Sequence, residues 1–349
     1  MMLFRAIFVF FLVGILAACS SNSGSDSAAS LNVNTPVKTS SLNSRSCTVP
    51  SLARAYRYFN DVRQQTGLIA VTVSDALQGA AGSHADYLKL NQQAGHAELQ
   101  TGVGFSGVDA AARALQFGYL SSNVNEGVVG QGSTVVASID GLMTAIYHRF
   151  TILDFYRDEV GIGFTAQENN CLYSFVHNGG SSGLNNVCLN STFVSGGYYY
   201  AVCADENLKI ATADYQAALD GVASQNPRYV LWPMDQATDV YPAFWGNEVP
   251  NPLPDYQQAG NPLSIQFNPY YFSEQVKLIS FRLFDDQGEV TNTRLISHAT
   301  DVNGKFSVYE YALFPLALLQ ERADYVAEVV FEDRGVQESV QWRFRTLPL

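Results

Sequence analysis

Charge is scarce in this 349-residue chain: Asp, Glu, Lys and Arg make up 15% of it, with 20 Lys or Arg against 32 Asp or Glu. The net charge of −12 repels polyphosphate and argues against a nucleic-acid partner. Histidine and cysteine are also few, five of each. No two cysteines form a Cys-x-x-Cys knuckle, which disfavours a zinc site built from four thiolates. Beyond the N-terminus, no apolar run reaches the ~20 residues that a membrane-spanning helix needs. Apolar residues, by contrast, are plentiful, at 47% hydrophobic and 12% aromatic. That is enough to bury a core, and the length suggests two domains.

The N-terminus carries its own pattern. Arg5 precedes an apolar run from Ile7 to Leu16, too short for a mature span and suited to the central region of a secretory signal peptide. Leu16-Ala17-Ala18-Cys19 resembles the lipobox of bacterial lipoproteins, which implies cleavage before Cys19 and acylation of its thiol. Ser20 after the cysteine resembles cargo sent to the outer membrane. Residues 1–18 are therefore expected to be a lipoprotein signal peptide. Residues 19–46, rich in Ser, Asn, Ala and Thr, are expected to be a flexible tether. The expected partner at this end is the membrane, through the lipid.

With Cys19 set aside, Cys47, Cys171, Cys188 and Cys203 remain, an even number in an oxidising compartment. Four cysteines allow three connectivities. The simplest choice joins Cys171 to Cys188 across a Gly/Ser/Asn-rich loop and Cys47 to Cys203.

Eight of the 12 prolines fall between Pro227 and Pro269, so residues 226–262 are expected to be a Pro-rich, extended joint between two bodies. Before it, apolar spacing predicts helices from Leu52 to about Gln65, Asp75–Asn91, Val108–Phe117 and Val135–Tyr147. Extended runs follow at Glu159–Ala166, Leu172–His177 and Gly197–Ala204. Helices followed by a meander of strands argue an α+β class. After the joint the period is two. Val336, Val340, Trp342 and Phe344 share one face, and Asp286-Gln-Gly288 and Asn303-Gly304 supply turns. Residues 263–349 are thus expected to form an Ig-like or fibronectin-like β-sandwich serving as a spacer or interaction module.

Two short motifs fail their context. Gly102-Val-Gly104-Phe-Ser-Gly107 fits a dinucleotide-binding pattern but follows no predicted strand. Gly179-Gly-Ser181-Ser-Gly183 spells a nucleophile elbow, yet it reads as loop, with no strand entering and no helix leaving.

The chemistry-bearing residues occur in an ordered series. It contains Gly95-His96-Ala-Glu98, Gly104-Phe-Ser-Gly107, Arg113, Gly118-Tyr119 and Asn125-Glu126-Gly127. It continues through Ser138-Ile-Asp-Gly-Leu-Met143, Tyr147-His148-Arg149 and Val160-Gly-Ile-Gly163-Phe164. In that order these resemble the bacterial branch of the CAP superfamily (cysteine-rich secretory proteins, antigen 5 and pathogenesis-related 1), also called SCP-like. The resemblance covers about Leu52 to His177. It implies an α-β-α sandwich over residues 47–225, with a cleft whose metal-binding residues would be His96, Glu126 and His148. A second family glutamate, on the helix before the second histidine, has no counterpart, since its position is Ala145. Glu98 and Asp140 are the nearby acids that could compensate.

Two imidazoles and a carboxylate suit zinc or another divalent metal, leaving a position for water or substrate. The same groups also suit a hydrogen-bonded polar core that organises the helices. His84 reads as a helix-face residue rather than a ligand, while His177 and His298 lack acidic company. The expected function is a lipid-anchored protein of the bacterial cell envelope, at the outer membrane. Its cleft would take a small apolar ligand, a lipid or a metal. The alternatives are a metal-assisted hydrolase acting on peptide or envelope polymer, and a purely structural or host-interaction lipoprotein. Binding is favoured over catalysis.

Overall fold

The computed structural model describes residues 47, 49–130, 134–272 and 274–348. The signal peptide, the lipobox with Cys19 and the tether lie outside the described residues.

Four strands make the first sheet: β1 (Thr72–Val73), β2 (Asn125–Gly130), β3 (Glu159–Ala166) and β4 (Leu172–Gly180), in the order β1-β3-β4-β2. Only the β1–β3 pairing is parallel. Successive residues of a strand point to opposite faces, and this sheet is apolar on both. On one side Val129, Ile162 and Phe175 pack against Ala55, Phe59 and Val62 of helix α1 (Leu52–Gln65) and Ile139, Leu142 and Met143 of α4 (Val135–Thr144). On the other, Val128 and Val176 meet Ala81, Ala85, Tyr87 and Leu88 of α2 (Asp75–Asn91). Helix α3 (Ala110–Gln116) lies on the α2 side, with Ala114 against Leu77. The result is the expected α-β-α sandwich. Helices α1 to α4 each open on a side-chain cap, from Ser51, Ser74, Asp109 and Thr134.

Two glycines set how closely α2 lies on β3. A Cβ on Gly161 would stand 1.9 Å from the Leu77 carbonyl carbon, and one on Gly163 would stand 2.3 Å from that of Ala81. The helix backbone therefore rests on the strand backbone.

The predicted helix Val135–Tyr147 is two helices. Ala145 is extended (φ −89°, ψ 116°), and α5 (Ile146–Ile152) starts afresh after it with no cap from its own flanking side chain. The Gly179–Gly183 stretch also departs from expectation. It is the end of β4 followed directly by α6 (Ser182–Asn190), so a strand enters and a helix leaves. Ser181 is nonetheless a buried N-cap whose Oγ accepts from Leu184 N. A Cβ on Gly180 would press against the Tyr119 hydroxyl at 2.4 Å.

The disulfides correct the expected pairing. Cys47 joins Cys171, and Cys188 joins Cys203. Cys171 sits at the β3–β4 turn, whereas α6 carries Cys188 toward the segment holding the short strands β5 (Tyr198–Tyr199) and β6 (Ile210–Ala211). The supposed flexible loop between Cys171 and Cys188 is strand and helix, which separates them.

After α7 (Thr212–Ala223) the chain builds two larger sheets and one short strand pair. The strands are β7 (Tyr229–Trp232), β8 (Ala237–Val240), β9 (Ala243–Phe244), β10 (Ala259–Gly260), β11 (Leu263–Phe267) and β12 (Lys277–Asp285). They continue with β13 (Gly288–Glu289), β14 (Thr293–Ser297), β15 (Glu310–Pro315), β16 (Asp324–Asp333) and β17 (Val336–Thr346). One sheet runs β14-β15-β11-β7 and the other β13-β12-β16-β17-β8. Ile265, Phe267 and Leu313 of the first share a core with Phe281, Val329, Trp342 and Phe344 of the second, making a β-sandwich. Within 226–262, β7 and β8 are edge strands of this sandwich, and β9 and β10 pair with each other.

The two halves share a core. Ile146, Tyr147 and Phe150 of α5 pack with Phe244, Leu253, Phe306 and Phe314. Arg149, wholly buried, donates to Met143 O, Pro262 O, Ser264 Oγ and Asn261 Oδ1 at 2.7 to 3.1 Å. Burial lowers its pKa to about 9, with the Glu248 charge opposing.

Candidate functional site

Strand β2 brings Glu126 to the centre of the first domain. The residue before it, Asn125, is locked by bonds to Thr151 O, Asp154 and Gly179 N. Helix α3 aims Arg113 at the Glu126 carboxylate, with Nη2 at 2.9 and 2.8 Å from its two oxygens. His96 Nδ1 lies 2.9 Å from Oε1. The Asn178 amide, oriented with its nitrogen toward acceptors, donates to Oε2 at 2.9 Å. Burial alone would raise the Glu126 pKa, but the Arg113 charge, the His84 charge and the His96 hydrogen bond reverse this and hold it well below the ordinary carboxylate range.

Behind this pair is a second one. His84, wholly buried on α2, places Nδ1 2.8 Å from Glu98 Oε1 and Nε2 2.9 Å from Gly95 O. Both ring nitrogens thus face oxygen atoms. Glu98 also accepts from Ser106 N at 2.7 Å and lies 3.7 Å from Arg113 Nη1. Burial acts to raise its pKa, and the bonds from His84 and Ser106 with the Arg113 charge bring it below the usual value. Glu98, Glu126, Arg113 and His84 thus interleave in one buried cluster.

His148, on α5, meets a residue that the sequence reading missed. Glu248, in the loop between β9 and β10, accepts from Ile146 N (2.8 Å), Tyr147 N (2.7 Å), His148 N (3.2 Å) and His148 Nδ1 (3.0 Å). It is buried, at 1% exposure. Its only signal in the sequence is an acid among Trp, Gly and Pro in a segment read as connecting chain. The acids expected to compensate for Ala145 go elsewhere: Glu98 to His84, and Asp140 to the Tyr58 hydroxyl. Burial raises the Asp140 pKa to about 6, with the Tyr58 bond opposing.

The structure brings the His96 and His148 rings together, with centroids 6.0 Å apart and planes 18° from parallel. The His96 side chain is 22% exposed against 7% for His148, so His96 forms the solvent-facing edge. Beneath them lies His177, wholly buried, with Nε2 3.3 Å from Thr151 Oγ1 and its ring against Phe59. Burial and the neighbouring His148 lower its pKa to about 3. His298, in the sandwich, sits against Phe306 O, away from this group.

Glu126 is therefore engaged by Arg113 and His96 rather than set out as a third metal donor. No group of three or more His, Cys, Asp or Glu side chains that could hold a metal occurs among the described residues. What the donor set fits is a two-imidazole arrangement. A charged carboxylate can only accept, so Nδ1 of each ring donates to it. A carboxylate behind each imidazole is the usual support of a metal-ligating histidine.

Residues 56–178 match the family model described as CAP, the cysteine-rich secretory protein family. This part of the chain is a CAP domain. Among solved structures, an outer surface protein from Borrelia burgdorferi is 16% identical at a TM-score of 0.32, over 37% of this chain and 90% of that one. An extracellular protein containing an SCP domain from Bacillus anthracis str. Ames is 17% identical at 0.32, over 36% of this chain and 39% of that one. No curated protein matches the chain. The match ends within β4, so α6, α7 and the sandwich lie beyond the matched residues. No helix among the described residues is long and apolar enough to cross a membrane.

Proposed function

We propose that this chain is a lipid-anchored cell-envelope protein whose CAP domain binds a divalent cation, zinc fitting best, at His96 and His148. The observation that carries the reading is the pair of near-parallel imidazoles, each backed by its own buried carboxylate, Glu126 or Glu248. Two protein donors make a labile site rather than a structural one, because structural zinc takes four. The remaining positions would go to water or to an oxygen of a bound ligand, which the cation would polarise. Glu126 and Glu248 would orient the rings. Arg113 offsets the charge of Glu126, so that carboxylate stays in place whether or not a cation is bound.

The envelope location rests on two disulfides, which persist in oxidising compartments, together with the lipobox at Cys19. Acylation would place the molecule at a membrane surface, with the outer membrane the expected destination.

Thermal melts with zinc and with chelator test the cation. A bound site stabilises by about 2.7 kcal/mol at a hundredfold excess over Kd. That gain should vanish in His148→Ala and in His96→Ala, and absence of any shift in the wild type refutes this reading. Labelling with a fatty-acid analogue tests the anchor, since Cys19→Ser should abolish incorporation and release the protein from membranes.

A further inference from the structure

We propose that Glu248 is the positioning residue for His148, so that the C-terminal half is an integral part of the imidazole site. The proposal builds on the reading of His96 and His148 as a binding pair. Helix α5 cannot supply its own start, because Ala145 has no side-chain acceptor for the N–H groups of its first turn. One carboxylate fills that role from outside the CAP domain, accepting from Ile146 N, Tyr147 N and His148 N. The same carboxylate accepts from His148 Nδ1 at 3.0 Å. It thereby sets where the ring lies, which nitrogen carries the proton and which edge faces His96. Glu126 performs the matching task for His96 from within the CAP domain.

Glu248 owes its position to the second half. It sits in the loop closed by the β9–β10 pairing, where Asn251 Nδ2 bonds Gly246 O at 3.2 Å. Phe244, Leu253 and Ala259 around that loop pack on Ile146, Tyr147 and Phe150 of the helix it caps. A second tie runs from the Tyr147 hydroxyl to Asp301 at 2.5 Å. The sandwich and the segment leading to it therefore hold the helix that carries one of the two imidazoles.

Glu248→Gln is the direct test, because a glutamine offers the ring a donor as well as an acceptor and no longer dictates the tautomer. The variant should keep its far-UV circular dichroism. Its His148 ring 15N spectrum, taken where the imidazole is neutral, should move from the Nδ1-protonated form to a mixture. Its zinc Kd should weaken by about 10- to 100-fold. Tyr147→Phe is the control: it loosens the same helix through Asp301, lowers Tm and leaves the His148 pattern as in the wild type. An unchanged pattern in Glu248→Gln, or an equal change in Tyr147→Phe, overturns the proposal. If Glu248→Gln fails to fold, Glu248→Asp, which draws the carboxylate back by one methylene, is read in the same way. The 15N readout needs no metal, so a wild type with Nδ1-protonated His148 and no zinc affinity would refute the binding reading and support the role of Glu248.

Discussion

His148 Nδ1 lies 3.0 Å from a carboxylate oxygen of Glu248, one hundred residues further along the chain. The contact explains why an α-helix predicted to run through Ala145 breaks there. Ending one helix and starting another leaves N–H groups without partners, and in this interior a buried acid from a distant loop accepts from three of them. Local sequence, chain break and site chemistry are thus one event rather than three.

The buried cluster around Arg113 should be sensitive to loss of its cation. Arg113 is fully buried, bonded twice to Glu126 and 3.7 Å from Glu98. Removing one partner of a buried pair leaves an uncompensated charge, which costs about 3–5 kcal/mol. Arg113→Met should lose stability on that scale in denaturant melts at pH 7. Arg113→Lys should recover only part of it, because a single ammonium cannot serve Glu126, His96 O and Gly107 O at once as the planar guanidinium does. Full stability in Arg113→Met would show that the carboxylates find other partners.

His177 should make the protein acid-sensitive before its carboxylates do. Its folded-state pKa is lowered to about 3 from 6.5, first by burial and then by His148. As pH falls below 6.5 the unfolded chain takes up a proton that the folded one refuses until about 3. Stability therefore drops across that window, by about 1.4 kcal/mol per pH unit at most. Glu126 and Glu98, held below their ordinary value of 4.5, add to the loss under more acid conditions. In His177→Leu, urea midpoints between pH 6.5 and 4.5 should flatten; an undiminished slope would assign the sensitivity to other groups.

Much of this was legible in the sequence, and the residues show why the rest was not. Helices α1 and α2 begin and end where apolar spacing places them. His96 and His148 do come together, as the ordered motif series implied. Three things were hidden because they depend on contacts distant in the chain. Glu248 carries no local mark of being buried. The Cys171–Cys188 guess relied on nearness in sequence, which β4 and α6 remove by carrying the chain away. The burial of Arg149 depends on Pro262 O and Asn261 Oδ1, more than a hundred residues away in the chain.

Truncation after residue 225 should not yield a stable CAP domain. It would expose Ile146, Tyr147 and Phe150, now packed on Phe244, Phe306 and Phe314. It would also strip Arg149 of its bonds to Pro262 O, Ser264 and Asn261, and α5 of its cap on Glu248. Lost burial alone is worth about 1.5–3 kcal/mol for each large apolar side chain. A fragment spanning 47–225 should be aggregated or give broad, non-cooperative melts, whereas the chain from 47 to 349 should melt cooperatively. A well-dispersed spectrum from the short fragment would show that the halves fold independently.

The close approach of Gly161 to α2 gives a prediction that rests on packing. Added to Gly161, a methyl group would lie 1.9 Å from the carbonyl carbon of Leu77 and 2.1 Å from Gln78 N, both backbone atoms that no rotamer change can move aside. Gly82 lies on the same helix, yet a methyl there meets nothing within 4 Å. Gly161→Ala must therefore push α2 off β3, at the roughly 1–3 kcal/mol or more that overpacking costs. Gly82→Ala should stabilise slightly, because alanine is the better helix former by about 1 kcal/mol. Since α2 carries His84, its displacement should also loosen the bond to Glu98. Paired denaturant melts of the two variants separate the effects. Equal stabilities would mean that the helix and strand are not in backbone contact and that Gly161 has no packing role.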